Sequence, residues 1–512
     1  MSRSNESQLK DDLGRQLEHN IRFIQDATGN SSDIKFRNVL LPVQDRRPLP
    51  AVIVFLEGIS RLEAMLDSLL TSHPAHSHGG KDGVRGLIEH YRLVVQSEGE
   101  VFEVANYSKL FDSLLTGHSI LLIEGCEIGL AIGTKDVQAR SVEEPNVQSV
   151  IRGPREGFVE VLSNNTAMLR RKINNSNLWI ETLKIGEQTK TKVVLVYMKG
   201  IAAEQMVEEV RRRLADIRTD SVLESNYIEE YLQHQGYTPF PTVFNTERPD
   251  VVSAALLEGR AAVLVDGTPF ALIVPAVFVE FFQSSEDYYQ RTDFATLVRL
   301  LRFLCFLLAT LTPAVYIAIS TFHQEMLPTT LLYNLASQRE GVPFPAFVEA
   351  VLMEITFEIL REASIRMPKS IGQAISIVGT LVVGQAAVEA GLVSAAMVII
   401  VSITAISNFV LPAFNMGISV RMIRFSLMML AASFGLYGIF IGIIVAVLHM
   451  CSLSSVGIPY MTPLAPLRLQ EQEDALVRVS LSRMFRRPLS FHPLNKIRRG
   501  RASAGQKGGD GS

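Results

Sequence analysis

LLTGHSILLIEGCEIGLAI, residues 114–132, is matched later in the chain by LLEGRAAVLVDGTPFALIV, residues 256–274. Gly117 pairs with Gly259, Glu124 with Asp266 and Gly125 with Gly267, all at one constant offset of 142 residues. At the same offset VFLEGIS, around Gly58, pairs with VYMKGIA, around Gly200. A repeat at fixed spacing is the mark of one supersecondary unit used twice. In each copy a β-branched run (residues 52–55 and 193–197) ends at a turn glycine. A helix is expected to follow (59–70 and 203–217). A strand pair then closes around an acidic residue followed by Gly, which suits a two-residue primed turn. The first part of the chain therefore reads as two duplicated α/β subdomains, residues 33–136 and 152–290, joined by a polar linker, residues 137–151. Residues 1–32 read as a flexible amino-terminal segment without the apolar stretch of a signal peptide. Twin lobes of this kind offer a cleft or an assembly surface, or are plain duplication of a scaffold.

The composition narrows the function classes. The chain has 512 residues, 47% of them apolar and 20% charged, with a net charge of −3. That balance excludes disorder as the main state and gives no basic field for nucleic acid. Three cysteines, Cys126, Cys305 and Cys451, lie too far apart in sequence for a disulfide framework or a paired-cysteine metal knuckle. GxxxxGK[ST], HExxH and GxSxG are absent, so no enzyme activity and no cofactor is proposed. The His73, His76 and His78 cluster sits among Ser, Gly, Lys and Asp and reads as a solvated loop rather than a metal site. His323 and His449 read as polar tips near membrane ends, and Cys305 as a small apolar filler.

The apolar residues concentrate in the second part. About four membrane spans are expected, over 301–320, 371–388, 392–411 and 425–450, within an all-α transmembrane domain of residues 291–466. Arg291, Arg299 and Arg302 precede the first span, and residues 467–512 hold ten Lys/Arg against four Asp/Glu. Both termini thus read as cytoplasmic, with 467–512 a basic tail. Arg421 and Arg424, before the last span, conflict with that orientation unless one run is only half inserted. Between the first two spans, 347–365 reads as a helix in which Glu354, Glu358 and Glu362 recur every four residues. This is either an acidic lining at a cation entrance or the solvated face of an interfacial helix. In the soluble half, Arg152-Gly-Pro-Arg155 marks a turn, and the helix after it ends in Arg170, Arg171 and Lys172. Those cations match a helix carboxyl end and also suit anionic headgroups or a partner surface.

Several longer stretches resemble one family. IRGPREGFVEVLSNNTAMLRRKI from Ile151, PFPTVFNTERPDVVSAALLEGRAAVLVDGTPFALIVP from Pro239, LTPAVYIAISTFHQEMLPTTLL from Leu311 and VPFPAFVEAVLMEITFEILREASIRMP from Val342 are similar to the A subunits of bacterial spore germinant receptors, the GerA family. So is the long apolar stretch from Ser376. The resemblance runs from about residue 32 to about residue 466, and the basic tail departs from the family's usual short end. A paralogue associated with dipicolinate channels is also similar; GNSSDIKFR from Gly29 looks more like the receptor branch.

The resemblance implies an integral protein of the spore inner membrane. It implies partnership with germinant receptor B and C subunits and a homo-oligomer that conducts monovalent cations when nutrient binds. On that footing Gln373, Ser376 and Thr380, which share one helix face, would line the path, with Glu354, Glu358 and Glu362 at its mouth. Gly372, Gly379, Gly384 and Gly391 offer a competing explanation of that helix as a packing surface. A non-conducting scaffold of the receptor and a secondary transporter remain the other readings; the duplication lies in the soluble half and does not support a transporter repeat.

Overall fold

The computed structural model describes residues 11–42, 48–72, 81–97, 99–135, 144–145, 148, 150–233, 236–366 and 384–498. The chain forms two units: Met1–Gln233 with Val243–Pro275 and Leu481–Ser512, and His234–Thr242 with Ala276–Ser480.

The first unit holds both copies of the repeat. The first lobe runs α1 (Leu17–Ala27), β1 (Ile34–Leu41), β2 (Leu49–Leu56), α2 (Glu63–Thr71), α3 (Lys81–Val95), β3 (Val101–Val104), α4 (Tyr107–Leu115), β4 (Ser119–Ile123) and β5 (Gly129–Ile132). The second lobe runs α5 (Leu162–Lys172), β6 (Leu178–Ile185), β7 (Thr191–Met198), α6 (Glu204–Asp216), α7 (Ser225–Leu232), β8 (Phe244–Thr246), α8 (Pro249–Leu257), β9 (Ala261–Val265) and β10 (Ala271–Val274). The two sheets are antiparallel and share one strand order, β1-β2-β4-β5-β3 and β6-β7-β9-β10-β8. The inner strands β4, β5, β9 and β10 read as apolar runs buried throughout, because both faces of each sheet are covered there. In the first lobe Val52, Val54, Ile120 and Leu122 pack under α1 and α4. Their neighbours Ala51, Ile53, Leu121 and Ile123 face the opposite way, toward α2 and α3.

The acidic-Gly turn of each copy has a second task. Glu124 Oε2 accepts the Leu17 N–H at 3.0 Å, at the start of α1. Asp266 Oδ1 accepts the Leu162 N–H at 3.3 Å, at the start of α5. Each carboxylate satisfies one of the free donors of a helix amino end and lies at the positive pole of its dipole. The first helix of each lobe is pinned alike from within: Asn20 bonds the N–H and the carbonyl of Gly14, and Asn165 those of Val159. So α1 belongs to the repeat, with Leu17, Asn20 and Ile24 buried. The expected flexible segment 1–32 is corrected over these residues: their apolar spacing serves a core.

The lobes are joined through α5. Ala167 enters the first lobe's core, and a Cβ added at Gly58 would lie 2.7 Å from the Ser163 carbonyl oxygen. Gly58 also has φ +78°, so both backbone and space demand glycine there. The expected linker, 137–151, falls mostly outside the described residues, as do His73, His76 and His78. The expected basic tail does not hang free over 481–498. Leu494 N–H donates to the Ile201 carbonyl at 2.9 Å and Arg498 reaches Glu258 at 2.7 Å, so this stretch straps the second lobe.

The second unit is helical apart from the two-stranded ribbon Ser454–Ser455 with Ile458–Pro459. Residues 276–290, expected in the second α/β subdomain, fall in this unit, where Phe278 and Phe282 pack on Phe306. Its helices are α9 (Thr292–Thr321), α10 (Thr329–Glu340), α11 (Ala346–Arg366), a short turn of helix at Gly384–Glu389, α12 (Ala395–Phe409) and α13 (Phe414–Ser452). Among the described residues two helices, α9 and α13, are long and apolar enough to cross a membrane. Of the four expected spans, 301–320 lies in α9 and 425–450 in α13. Span 392–411 corresponds to α12, whose 15 residues cover about 22 Å, short of a roughly 30 Å hydrocarbon core. Most of span 371–388 lies outside the described residues.

Helix α13 is not one rod. Gly435 has φ 62° and ψ −142°, outside helical space. Side-chain atoms of Leu427 come within 2.5 Å of a Cβ built on Gly442. Ser419 Oγ donates to the Pro239 carbonyl at 2.5 Å, while His449 meets Thr238 at 2.9 Å. Thirty helical residues span about 45 Å, yet Ser419 and His449 reach adjacent residues. The chain therefore reverses at Gly435 into two antiparallel arms, 414–434 and 436–452. Arg421 and Arg424 then lie toward the same end of the unit as His449.

Candidate functional site

Charged groups in an apolar helical unit are costly unless paired, and they mark the places where function is most economically sought. The second unit has two such clusters.

The first joins α11 to the first arm of α13. Arg424 Nη2 lies 2.9 Å from Glu354 Oε2, and each side chain is 1% exposed. Glu358 is shared: Arg361 Nη2 approaches it at 2.7 Å, Arg421 Nη1 at 3.1 Å and Arg424 at 3.7 Å. Helix periodicity explains the acids, which stack along one side of α11, and Arg421 and Arg424 stand one turn apart on α13. Five residues before Glu354, Glu349 is fully buried and accepts both the N–H and the hydroxyl of Ser394 at 2.5 Å, tying α11 to the start of α12. Some polar capacity is left over: Glu354 Oε1 and Arg424 Nε make no hydrogen bond among the described residues.

The second cluster fastens the entry of α9. Asp287, 2% exposed, receives Arg302 Nη1 at 2.9 Å on both oxygens and Arg299 Nε at 3.2 Å. Arg299 Nη1 also donates to the Asp474 carbonyl and carboxylate, and Arg478 Nε to the Asp287 carbonyl at 3.1 Å. Two guanidinium groups thus hold the Asp287 carboxylate and a third its carbonyl, which brings the start of α9 to the segment after α13.

The expected lining residues fare unequally. Glu354 and Glu358 are brought together, but against Arg421 and Arg424 rather than into an open acidic mouth. Glu362 pairs with Arg366 at 2.6 Å on the exposed end of α11. Gln373, Ser376 and Thr380 lie outside the described residues. Of the expected contact residues, Arg170 is corrected. It is fully buried and bonds Asp33 through Nε at 2.9 Å and Nη2 at 3.0 Å, so it holds the lobes together and is not free for a headgroup. Arg152 and Arg171 are exposed, and Arg155 pairs with Glu144 at 3.1 Å across the surface.

Sequence reasoning missed Asp287, Asp33 and the partners of the Glu stripe. A signal existed only for Arg421 and Arg424, whose misfit with orientation marked them as unusual. Among the described residues no group of His, Cys, Asp and Glu is arranged to hold a metal. Cys126 is buried and its thiol is pushed up to about 11 by burial, then by Glu124, which leaves it unreactive.

Residues 22–490 match the Bacillus/Clostridium GerA spore germination protein family. Spore germination protein KA of Bacillus subtilis (strain 168) is 46% identical over 489 residues, 95% of this chain and 88% of the relative. Spore germination protein GerLA of Bacillus cereus is 38% identical over 469 residues, 91% of this chain and 94% of the relative. An uncharacterised membrane protein of Bacillus subtilis (strain 168), YfkQ, is 44% identical over 478 residues, 93% of this chain and 91% of the relative. Among solved structures, the N-terminal domain of the A subunit of the Bacillus megaterium spore germinant receptor GerK3 is 38% identical. It covers 52% of this chain and 98% of that chain, with a TM-score of 0.41. With nearly the whole length matched, the chain belongs to the GerA family of spore germination proteins.

Proposed function

We propose that this chain is the A subunit of a spore germinant receptor and that it oligomerises into a ligand-gated cation channel of the spore inner membrane. B and C subunits are its partners, and both termini face the cytoplasm. The family match supports a role in germination, and α9 with the two arms of α13 supports membrane residence. The observation that carries the conducting role is the Glu354–Arg424 pair. Paired and desolvated ions inside an apolar helical unit are retained at a stability cost, and ion pathways and gates are where that cost has a use. In this reading the paired arrangement is the closed one, because Arg421 and Arg424 neutralise the acids that would attract a monovalent cation. Opening separates α11 from the first arm of α13 and frees Glu354 and Glu358 to face Gln373, Ser376 and Thr380.

The test is potassium efflux from liposomes holding this chain with its B and C partners, before and after nutrient. Arg424→Gln is expected to raise efflux without nutrient, and Glu354→Gln to lower nutrient-triggered efflux. A non-conducting scaffold is the second reading, favoured by how fully Glu358 is compensated. It predicts an assembled, nutrient-bound complex with no efflux at all.

A further inference from the structure

Helices α9, α10 and α12 line an open cavity of about 540 Å³, bordered among others by Leu311, Val315, Tyr316, Leu331, Leu335 and Ile399. Nearly all of its wall is apolar, and α9 is one of the two helices suited to a bilayer. The third wall, α10, has no buried residue along its length. Leu331 and Leu335 face the cavity one turn apart. The same face continues at the next turn to Arg339, within electrostatic reach of the cavity residue Tyr316. The side chain of Arg339 makes no ion pair or hydrogen bond among the described residues, and its Nε is buried without a partner. An apolar slot with an unpaired guanidinium one turn beyond it is unfavourable when empty, since it leaves both apolar surface and a cation without complement.

We propose that this cavity binds one anionic membrane phospholipid, with an acyl chain in the slot and the phosphodiester on Arg339. The slot is matched to a hydrocarbon chain because its wall is mostly Leu, Ile and Val side chains, many of them from α9, a helix suited to a bilayer. Basic pockets beside apolar helices select anionic headgroups, and an Arg fork fits phosphate oxygens in two-pronged fashion. The lipid completes the contact of α10 with the rest of the helical unit. This site is separate from the Glu354–Arg424 cluster and does not depend on ion conduction.

The test is native mass spectrometry of the delipidated full chain in detergent, titrated with phosphatidylglycerol, phosphatidylcholine or oleate. The unmodified chain is expected to retain one phosphatidylglycerol roughly tenfold better than phosphatidylcholine, the scale of one charge-assisted contact. Arg339→Gln keeps chain binding and loses that preference, while Arg339→Lys keeps part of it. Ile399→Trp, which fills the slot, weakens both lipids alike, and Val315→Phe repeats that outcome should the first variant not fold. Equal retention of the two phospholipids by the unmodified chain overturns the proposal. So does an undiminished preference in Arg339→Gln, or oleate binding as well as the phospholipid, which would point to a free carboxylate ligand. A change of oligomer size in Ile399→Trp without any lipid binding would assign the slot to a second copy and also overturn it.

Discussion

Arg424 and Glu354 face one another at 2.9 Å from two different helices, and neither exposes more than 1% of its side chain. Removing one partner leaves a buried charge without compensation, which costs about 3–5 kcal/mol, whereas replacing both by apolar residues of similar size is nearly neutral. Glu354→Gln and Arg424→Gln should each lower the melting temperature of the detergent-solubilised chain, and Glu354→Met with Arg424→Met should restore much of it. A loss in the double variant equal to the sum of the two single losses would show that the pair adds no coupling.

The same logic applies in the α/β unit. Arg170 on α5 grips Asp33 with two prongs and also reaches Ser31 at 3.1 Å. Ser31 Oγ in turn accepts the Ile180 N–H at 3.0 Å, so one guanidinium organises the meeting of the lobes. Asp33→Ala should destabilise the α/β unit by about 3–5 kcal/mol. The readout that separates a lobe joint from a general loss is hydrogen exchange. Protection should fall first at residues 31–34 and 178–182 while β4 and β9 stay protected.

How much of this was legible follows from what a short window of sequence can carry. The duplication was plain because strands buried on both faces leave unbroken apolar runs, and because Glu124-Gly125 and Asp266-Gly267 recur at one spacing. The capping of Leu17 by Glu124 was not, since it spans 107 residues. Helix α1 looked like a polar tail because only Leu17, Asn20 and Ile24 face inward. The Glu stripe was visible by its period, but its meaning changed once Arg421 and Arg424 came across from α13. The reversal at Gly435 left no trace at all. A glycine inside a long apolar run is compatible with a straight span, and only the backbone at Gly435 and contacts such as Leu427 with Gly442 reveal the turn.

Glu229 gives the α/β unit a pH dependence. It is 3% exposed on α7, accepts from Gln233 at 3.2 Å, and burial pushes its carboxyl up to about 7. A carboxyl raised in the folded state binds its proton more tightly there than in the unfolded chain. Its favourable linkage is fully present below the unfolded value near 4.5 and is lost as pH rises through about 7. The span corresponds to on the order of 3 kcal/mol. Denaturation at pH 5 and pH 8 should show the α/β unit weaker at the higher pH. Glu229→Gln should flatten that difference. An unchanged slope in the variant would assign the effect to another group.

The reversal of α13 is the sharpest claim on the membrane unit. Residues 427 and 442 are about 22 Å apart along a straight helix but touch across the hairpin. With Cys126, Cys305 and Cys451 replaced by Ala, the pair Leu427→Cys and Gly442→Cys should close an intramolecular disulfide under mild oxidation, since two thiols cross-link only when their Cα atoms lie within about 7 Å. A control pair at Leu427 and Met450, eight residues beyond Gly442 on the same arm, should stay open. Gly435→Ala should then reduce the cross-link. Its φ of 62° disfavours a side chain, and a Cβ there would lie 2.7 Å from His323 Cε1. If the first pair forms only between molecules, seen as a dimer band in place of a faster monomer, α13 is a single rod. Arg421 and Arg424 would then sit far from His449.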